Sequence, residues 1–293
     1  MQTRDALKKT GDLIAGSLDE YLLDCAGPPK KLLEAMKYCT RGGKRVRAFI
    51  TIEAAKTFGA TAEDVLPAAM ALEFMHAASL VHDDMPCIDD SPIRRGRPSC
   101  HTQFDEHTAL LAGDALIIRA FELLASLRTS IDPARVARVV EEFAVATGAE
   151  GLIAGEAADI EGEQQEPDAE MLDYIHLNKT ASLITAAART GAILAGAPEG
   201  DLETLTAYAR HLGLLFQITD DILDETATEE QLGKPVGADE ASGKMTYPAL
   251  MGLEQSQQRA EEIARKTLQH AELLPANVDV FTGLVDMVLN REK

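Results

Sequence analysis

The chain has 293 residues, of which 26% are charged, and a formal net charge of −20. Such an acidic protein lacks the general basic footprint that nucleic acids and anionic membranes need, so neither is expected as a partner, and any phosphate must be held by local basic patches. The length suffices for a sizeable core, and no Pro/Gly/Ser-rich linker or low-complexity tract divides it, so one domain spanning 1–293 is expected. The four cysteines, Cys25, Cys39, Cys87 and Cys100, form no C-x-x-C pair. That pattern fits reduced thiols in a cytoplasmic protein better than a zinc site or a disulfide framework. The amino terminus opens no apolar signal-like region, and no later apolar run reaches the roughly 20 residues of a membrane span, so a soluble protein without membrane insertion is expected.

Along the chain, apolar residues recur at helical rather than alternating spacing, and β-branched runs bounded by turns are scarce. The pattern predicts an all-α fold, a large helical bundle. Its helices are expected at about 2–24, 30–39, 44–58, 62–84, 105–128, 133–161, 168–195, 201–225 and 246–254, then about 257–273 and 277–290. Asp132-Pro133 and Pro167-Asp168 mark starts, because Pro is tolerated in the first turn and Asp caps it. The stretch from Glu229 to Met245, with Gly233, Pro235, Gly237 and Gly243, reads as a mobile loop. Many alanines, few aromatics and no Trp point to close helix packing, with sites built from side chains on facing helices.

Two acidic clusters dominate the chemistry: His82-Asp83-Asp84-Met85-Pro86-Cys87-Ile88-Asp89-Asp90 and Asp220-Asp221-Ile222-Leu223-Asp224. Crowded carboxylates raise one another's pKa and call for a counter-cation unless they face water. Oxygen ligands without a His or Cys pattern at the second cluster favour Mg2+, which typically joins carboxylates to substrate phosphates. Asp220 and Asp224 lie one helical turn apart with Asp221 beside them. In the first cluster His76, Ser79 and Asp83 align along a helix, Pro86 should end that helix soon after Asp84, and Asp89 must return from a looser turn. Basic tracts stand where an anion would need them: Arg41-Gly42-Gly43-Lys44-Arg45-Val46-Arg47 opens a helix, and Arg94-Arg95-Gly96-Arg97 follows the first cluster.

With these motifs in order from about Tyr38 to Glu254, the chain resembles a trans-isoprenyl diphosphate synthase. Gly42-Gly43-Lys44-Arg45-Val46-Arg47 resembles the family's isopentenyl diphosphate site, and His82 to Asp89 its first aspartate-rich motif in the form with two extra residues. Arg94-Arg95-Gly96 resembles the paired arginines after it. Lys179-Thr180 and Phe216 to Asp224 resemble allylic-substrate positions and the second aspartate-rich motif, and Gly233-Lys234 with Gly243 to Pro248 the lysine-bearing loop.

The resemblance implies an isoprenoid-synthase bundle with a central cavity. It implies Mg2+, three ions, held by Asp83, Asp84, Asp89, Asp220, Asp221 and Asp224 around an allylic diphosphate. Arg94, Lys179, Thr180, Gln217, Lys234 and Lys244 would bind that substrate, Lys179, Thr180 and Gln217 acting catalytically, while Lys44, Arg47, His76 and Arg95 would bind isopentenyl diphosphate. His82 is left as structural. Metal-assisted ionisation, attack by the isopentenyl double bond and proton loss need no covalent nucleophile, and the lysine-bearing loop is expected to close over the site against water. A homodimer is expected from the family. Ala78, small where an aromatic in the family stops growth at fifteen carbons, lies five residues before Asp83, about 7 Å along the axis. With Met75 and Phe121 closing the floor, it implies the twenty-carbon geranylgeranyl product, the fifteen-carbon farnesyl product being the alternative.

Ala48 and Glu156 depart from the common pattern, which has Pro and Gln there, and Glu156 is given no role. A class I terpene cyclase would not need Lys44 and Arg47 for a second diphosphate. An HD-type phosphohydrolase using His76, His82 and Asp83 leaves the second aspartate cluster without a use, and a non-catalytic partner subunit would typically lose one acidic motif.

Overall fold

A computed structural model describes residues 2–23, 27–163, 168–226 and 244–291. The chain runs through α1 (Gln2–Leu23), α2 (Lys30–Cys39), α3 (Val46–Thr57), α4 (Ala62–Asp83), β1 (Ile93–Arg94), β2 (Arg97–Pro98), α5 (Cys100–Gln103), α6 (Glu106–Ser126) and α7 (Pro133–Thr147). It continues through α8 (Leu152–Gly162), α9 (Ala169–Ile175), a π-helical segment (His176–Ala181), α10 (Ser182–Ala195), α11 (Glu199–Thr226), α12 (Tyr247–Met251), α13 (Leu253–Glu272) and α14 (Val278–Leu289). Among the described residues the fold is all-α apart from the β1–β2 ribbon, antiparallel with Arg94 opposite Arg97.

Short polar side chains set the helix starts. Thr61 and Asp64 form a reciprocal capping box at α4, Asp105 caps α6, and Asp132 and Asp168 accept from Ala134 N and Met171 N as expected. Each such cap contributes about 1 kcal/mol. Helices α3, α4 and α10 are buried along most of their length, with α4 packed on α6, α3 on α10, and α11 on α13. Their alanines let the helices approach, and Phe49, Phe74, Phe143, Phe281 and Tyr208 fill the space between. The Tyr208 hydroxyl donates to the Phe281 carbonyl at 2.9 Å, so its burial leaves no unpaired polar group. Arg45, expected among the anion-binding cations, is instead buried against Glu73 at 3.1 Å, and Glu73 also accepts from Ala48 N. Removing either partner of such a pair costs about 3–5 kcal/mol.

Three expectations differ. The helix over 133–161 is two helices, because the chain turns at Gly148–Gly151. The helix over 168–195 contains the π-helical segment, whose extra residue per turn changes the direction of its side chains. Helix α4 is by length and composition long enough and apolar enough to cross a membrane, against the sequence expectation, but 67% of the qualifying window is buried and it carries the buried Glu73. The expected loop from Glu229 to Met245, including Lys234, lies outside the described residues up to position 243.

Candidate active site

Both acidic clusters sit at helix C-termini. Asp83 ends α4 and Asp84 is its C-cap, while Asp220, Asp221 and Asp224 occupy the last turns of α11. The negative end of a helix dipole disfavours carboxylates, so these positions need positive charge from elsewhere. The structure supplies some. Arg94 Nε donates to Asp84 at 2.9 Å, Lys244 pairs with Asp89 at 3.1 Å, and Arg291 pairs with Asp220 at 2.9 Å. Asp221, only 5% exposed, accepts from His176 Nε2 at 3.2 Å and Tyr247 N at 3.0 Å. Asp224 is buried like Asp221, whereas Asp220 faces solvent. The main chain returns as expected after Pro86: Asp89 N donates to the Asp83 carbonyl at 2.9 Å, and exposed Asp90 takes a positive φ of 45°.

Asp83 has no such ion pair among the described residues. Burial and then the neighbouring Glu156 push its carboxyl up to about 7, although Lys179 and Arg94 oppose the rise. Glu156 is itself part of the site. One of its oxygens lies 2.7 Å from Lys179 Nζ, and the other is buried without a hydrogen-bond partner among the described residues. Lys179 also pairs with Asp159 at 2.7 Å. Burial alone would lower the Lys179 pKa, but Asp159 and Glu156 outweigh it and keep the ammonium charged.

The π-helical segment joins these groups. Within one turn it sends His176 to Asp221, Lys179 to the acids of α8, and Thr180 to Gln217, whose Oε1 accepts from the Thr180 hydroxyl at 2.9 Å. Gly155 lets α8 approach: a Cβ there would lie 2.1 Å from Lys179 N. π-bulges of this kind recur at functional sites.

The cationic side lies beside it. A cavity of about 100 Å³ is lined by Arg41, Arg94, Arg95 and Arg97, with Asp84, Cys39, Cys100 and the α4 residues Ala77, Leu80 and Val81 among its other walls. Arg95, at φ 55°, donates to the Arg41 carbonyl at 3.3 Å and to His76 Nε2 at 3.5 Å. Burial and the surrounding guanidinium groups, Arg47 first, hold His76 well below its ordinary pKa, so it is neutral and can accept. Burial likewise lowers Arg47 to about 10, and its buried Nε lacks a hydrogen-bond partner among the described residues. Gly43, at φ 86°, adopts a backbone conformation that strains other residues, and it leaves room for the Arg95 guanidinium, which lies 2.8 Å from where a Cβ would sit.

Residues 29–280 match the family model described as polyprenyl synthetase. A geranylfarnesyl diphosphate synthase, chloroplastic, from Leucosceptrum canum is 44% identical over 92% of this chain and 77% of its own. A heterodimeric geranylgeranyl pyrophosphate synthase large subunit, chloroplastic, from Arabidopsis thaliana is 47% identical over 83% of this chain and 68% of its own. Among solved structures, a geranyltransferase from Helicobacter pylori complexed with magnesium and isoprenyl diphosphate superposes with a TM-score of 0.84, 28% identity, and coverage of 99% and 97%. The chain belongs to the polyprenyl synthetase family. It is a prenyltransferase of the short-chain trans-prenyl diphosphate synthase type.

The expectation of a cytoplasmic protein is overturned by these relatives, whose names assign them to chloroplasts. For this prenyltransferase the carboxylate set fits Mg2+ chemically: its donors are oxygens, Asp83 is driven toward protonation by desolvation, and a Glu156 oxygen has no hydrogen-bond partner among the described residues. Among the described residues no three His, Cys, Asp or Glu stand close enough to hold one ion together. His82, left as structural, packs there: its Nε2 lies 3.2 Å from the Leu110 carbonyl and against Gly113. Ala78 and Met75 are buried in the core, and half-buried Phe121 stacks edge-on against Phe143 at 5.3 Å. Sequence reasoning missed Asp159, His176, Tyr247 and Arg291 and set Glu156 aside. The one available signal was Glu156 and Asp159 at helical spacing, which puts both acids on the same face of α8.

Proposed function

We propose that this prenyltransferase condenses isopentenyl diphosphate with dimethylallyl, geranyl and farnesyl diphosphates and releases geranylgeranyl diphosphate. The observation that carries the reading is the π-helical segment, which ties Asp221 of one acidic wall to a lysine beside Asp83 of the other, next to a cavity rimmed by arginines. Such a site suits two diphosphates, one between the acidic walls and one against the cations. The helical bundle acts as a single domain in this scheme.

Asp83, Asp84, Asp89, Asp220, Asp221 and Asp224 would hold Mg2+, three ions in all, which would neutralise the charge developing on the departing diphosphate. Lys179, Lys244, Arg94 and Lys234 add positive charge to the same leaving group, Lys234 from outside the described residues. As the allylic C–O bond breaks, Thr180 and Gln217 direct oxygen dipoles toward the positive carbon. Arg95, Arg47, Lys44 and neutral His76 hold isopentenyl diphosphate so that its double bond faces that carbon, and the released diphosphate takes the proton lost in the final elimination. Diphosphates, rather than nucleic acid or a membrane, are the partners.

The tail would run along α4 past Ala78 toward Met75 and Phe121. Leu110, Leu111 and Ile118 form an exposed apolar stripe on α6 that supports a homodimer. A heteromeric complex, as the name of the Arabidopsis relative describes for that protein, is the other assembly to be tested by light scattering.

Incubation with Mg2+, labelled isopentenyl diphosphate and each allylic primer, followed by chromatography of the dephosphorylated products, tests the proposal. A twenty-carbon alcohol is expected. Arrest at fifteen carbons would instead assign farnesyl diphosphate, and consumption of the allylic substrate without condensation would remove the reading altogether.

A further inference from the structure

Two thiols far apart in sequence meet at the cationic cavity. Cys39 is the last residue of α2 and Cys100 the first of α5, and both line that cavity. Neither belongs to a disulfide, Cys39 being half-buried and Cys100 4% exposed. Their neighbours are held together by contacts that do not involve sulfur. The Tyr38 hydroxyl donates to the Pro98 carbonyl at 2.7 Å, the Tyr38 ring meets Phe104 edge-on at 5.6 Å, and the Arg97 guanidinium lies 4.1 Å over the Tyr38 ring. The fold thus holds the two segments that carry these thiols against each other at one cavity.

We propose that Cys39 and Cys100 form a redox-reactive dithiol which a small-molecule disulfide, such as oxidised glutathione, converts into a Cys39–Cys100 disulfide that restricts the cationic cavity. Cavity lining and chain position are the grounds for this assignment. Each thiol perturbs the other across the shared cavity: the Cys39 thiol is raised, and that of Cys100 is lowered even though burial opposes it. Cys100 is therefore the better thiolate, and the thiolate is the attacking species. It attacks one sulfur of oxidised glutathione, the S–S bond breaks, and one glutathione thiolate leaves. Cys39 then gives up its proton, attacks Cys100 Sγ and expels the second glutathione. Two protein thiols are oxidised, one glutathione disulfide is reduced to two thiols, and the protein's two protons end on them.

The bridge would act on both basic tracts at once. The loop holding Arg41, Gly42, Gly43 and Lys44 starts immediately after Cys39, and the ribbon bearing Arg94 and Arg95 ends just before Cys100. Fixing their separation hinders the adjustment that a diphosphate requires. This effect rests on the reading of these cations as the isopentenyl diphosphate side, whereas formation of the bridge does not.

The full-length protein is incubated with oxidised glutathione or with dithiothreitol, digested without reduction, and analysed by peptide mass spectrometry alongside steady-state kinetics for each substrate. The proposal expects a Cys39–Cys100 linked peptide, an isopentenyl diphosphate KM raised about fivefold or more, and recovery on reduction. Cys39→Ser should stop at a glutathione adduct on Cys100. A linked peptide with a raised allylic KM instead would still support the dithiol while removing the assignment of the two diphosphates. Absence of the linked peptide, or its formation with both KM values unchanged, would overturn the proposal.

Discussion

The acidic and cationic sides of the site place charge against the helix dipole in opposite ways. On the acidic side, carboxylates crowd the C-termini of α4 and α11, where the dipole adds to their mutual repulsion, and half-buried Asp83 is left with no ion pair among the described residues. On the cationic side, the basic loop opens the N-terminus of α3, whose dipole favours an anion, and Arg41 of that loop joins Arg94, Arg95 and Arg97 around a cavity. The first arrangement is unfavourable until a cation arrives and suits the stabilisation of charge that changes during reaction. The second is ready to bind an anion whose charge does not change. Acidic-side lesions should therefore act on turnover and cationic-side lesions on substrate affinity.

Removing the metal should have the largest effect. With EDTA, condensation is expected to fall by about a thousandfold or more and to return with Mg2+, as followed by incorporation of labelled isopentenyl diphosphate. Persistent turnover in EDTA would erase the contrast between the two sides. Lys179→Ala comes next. It removes the cation between Asp83 and the acids of α8 and should lower kcat about a hundredfold, with a smaller change in the isopentenyl diphosphate KM. A reversal of that pattern in steady-state kinetics would move Lys179 to the cationic side.

Much of this contrast was legible in the sequence because both sides are built locally. The aspartates recur within a helical turn, the glycines and basic residues of 41–47 are contiguous, and Thr61, Asp105, Asp132 and Asp168 announce the helices they cap. The neutralising partners were not legible. Arg291 reaches Asp220, His176 reaches Asp221, and Lys179 reaches Glu156 and Asp159 through tertiary contacts that no spacing encodes. The π-helical segment was read as ordinary helix because one extra residue in a turn leaves the apolar pattern on either side intact. Arg45 was read with its basic neighbours because its partner, Glu73, lies on another helix.

Smaller effects sharpen the picture away from the charges. Ala78→Tyr should shorten the main product from twenty to fifteen carbons while leaving the first condensation within a few-fold of normal, since a ring clashes with a longer tail rather than with either diphosphate. Product chromatography decides this, and an unchanged length would mean that the tail does not pass Ala78. Glu142→Gln, remote from both sides, should cost about 1 kcal/mol of stability at neutral pH. Burial opposes ionisation of Glu142, but hydrogen bonds from Arg189 and Arg138 outweigh it and hold its carboxyl below the ordinary value of 4.5. Its contribution is present above that value and is lost as the pH falls through the lower folded-state pKa. Denaturation midpoints of wild type and variant should thus differ at pH 7 and converge in acid.

The most direct measurement sets Asp83→Asn beside Arg95→Ala in the same steady-state assay at saturating Mg2+, varying each diphosphate in turn. Asp83→Asn is expected to lower kcat by two orders of magnitude or more, roughly, with the isopentenyl diphosphate KM within a few-fold of wild type. Arg95→Ala is expected to raise that KM about tenfold or more with a much smaller loss of kcat. If both variants change the same parameter to the same extent, the acidic and cationic sides do not divide the work as described.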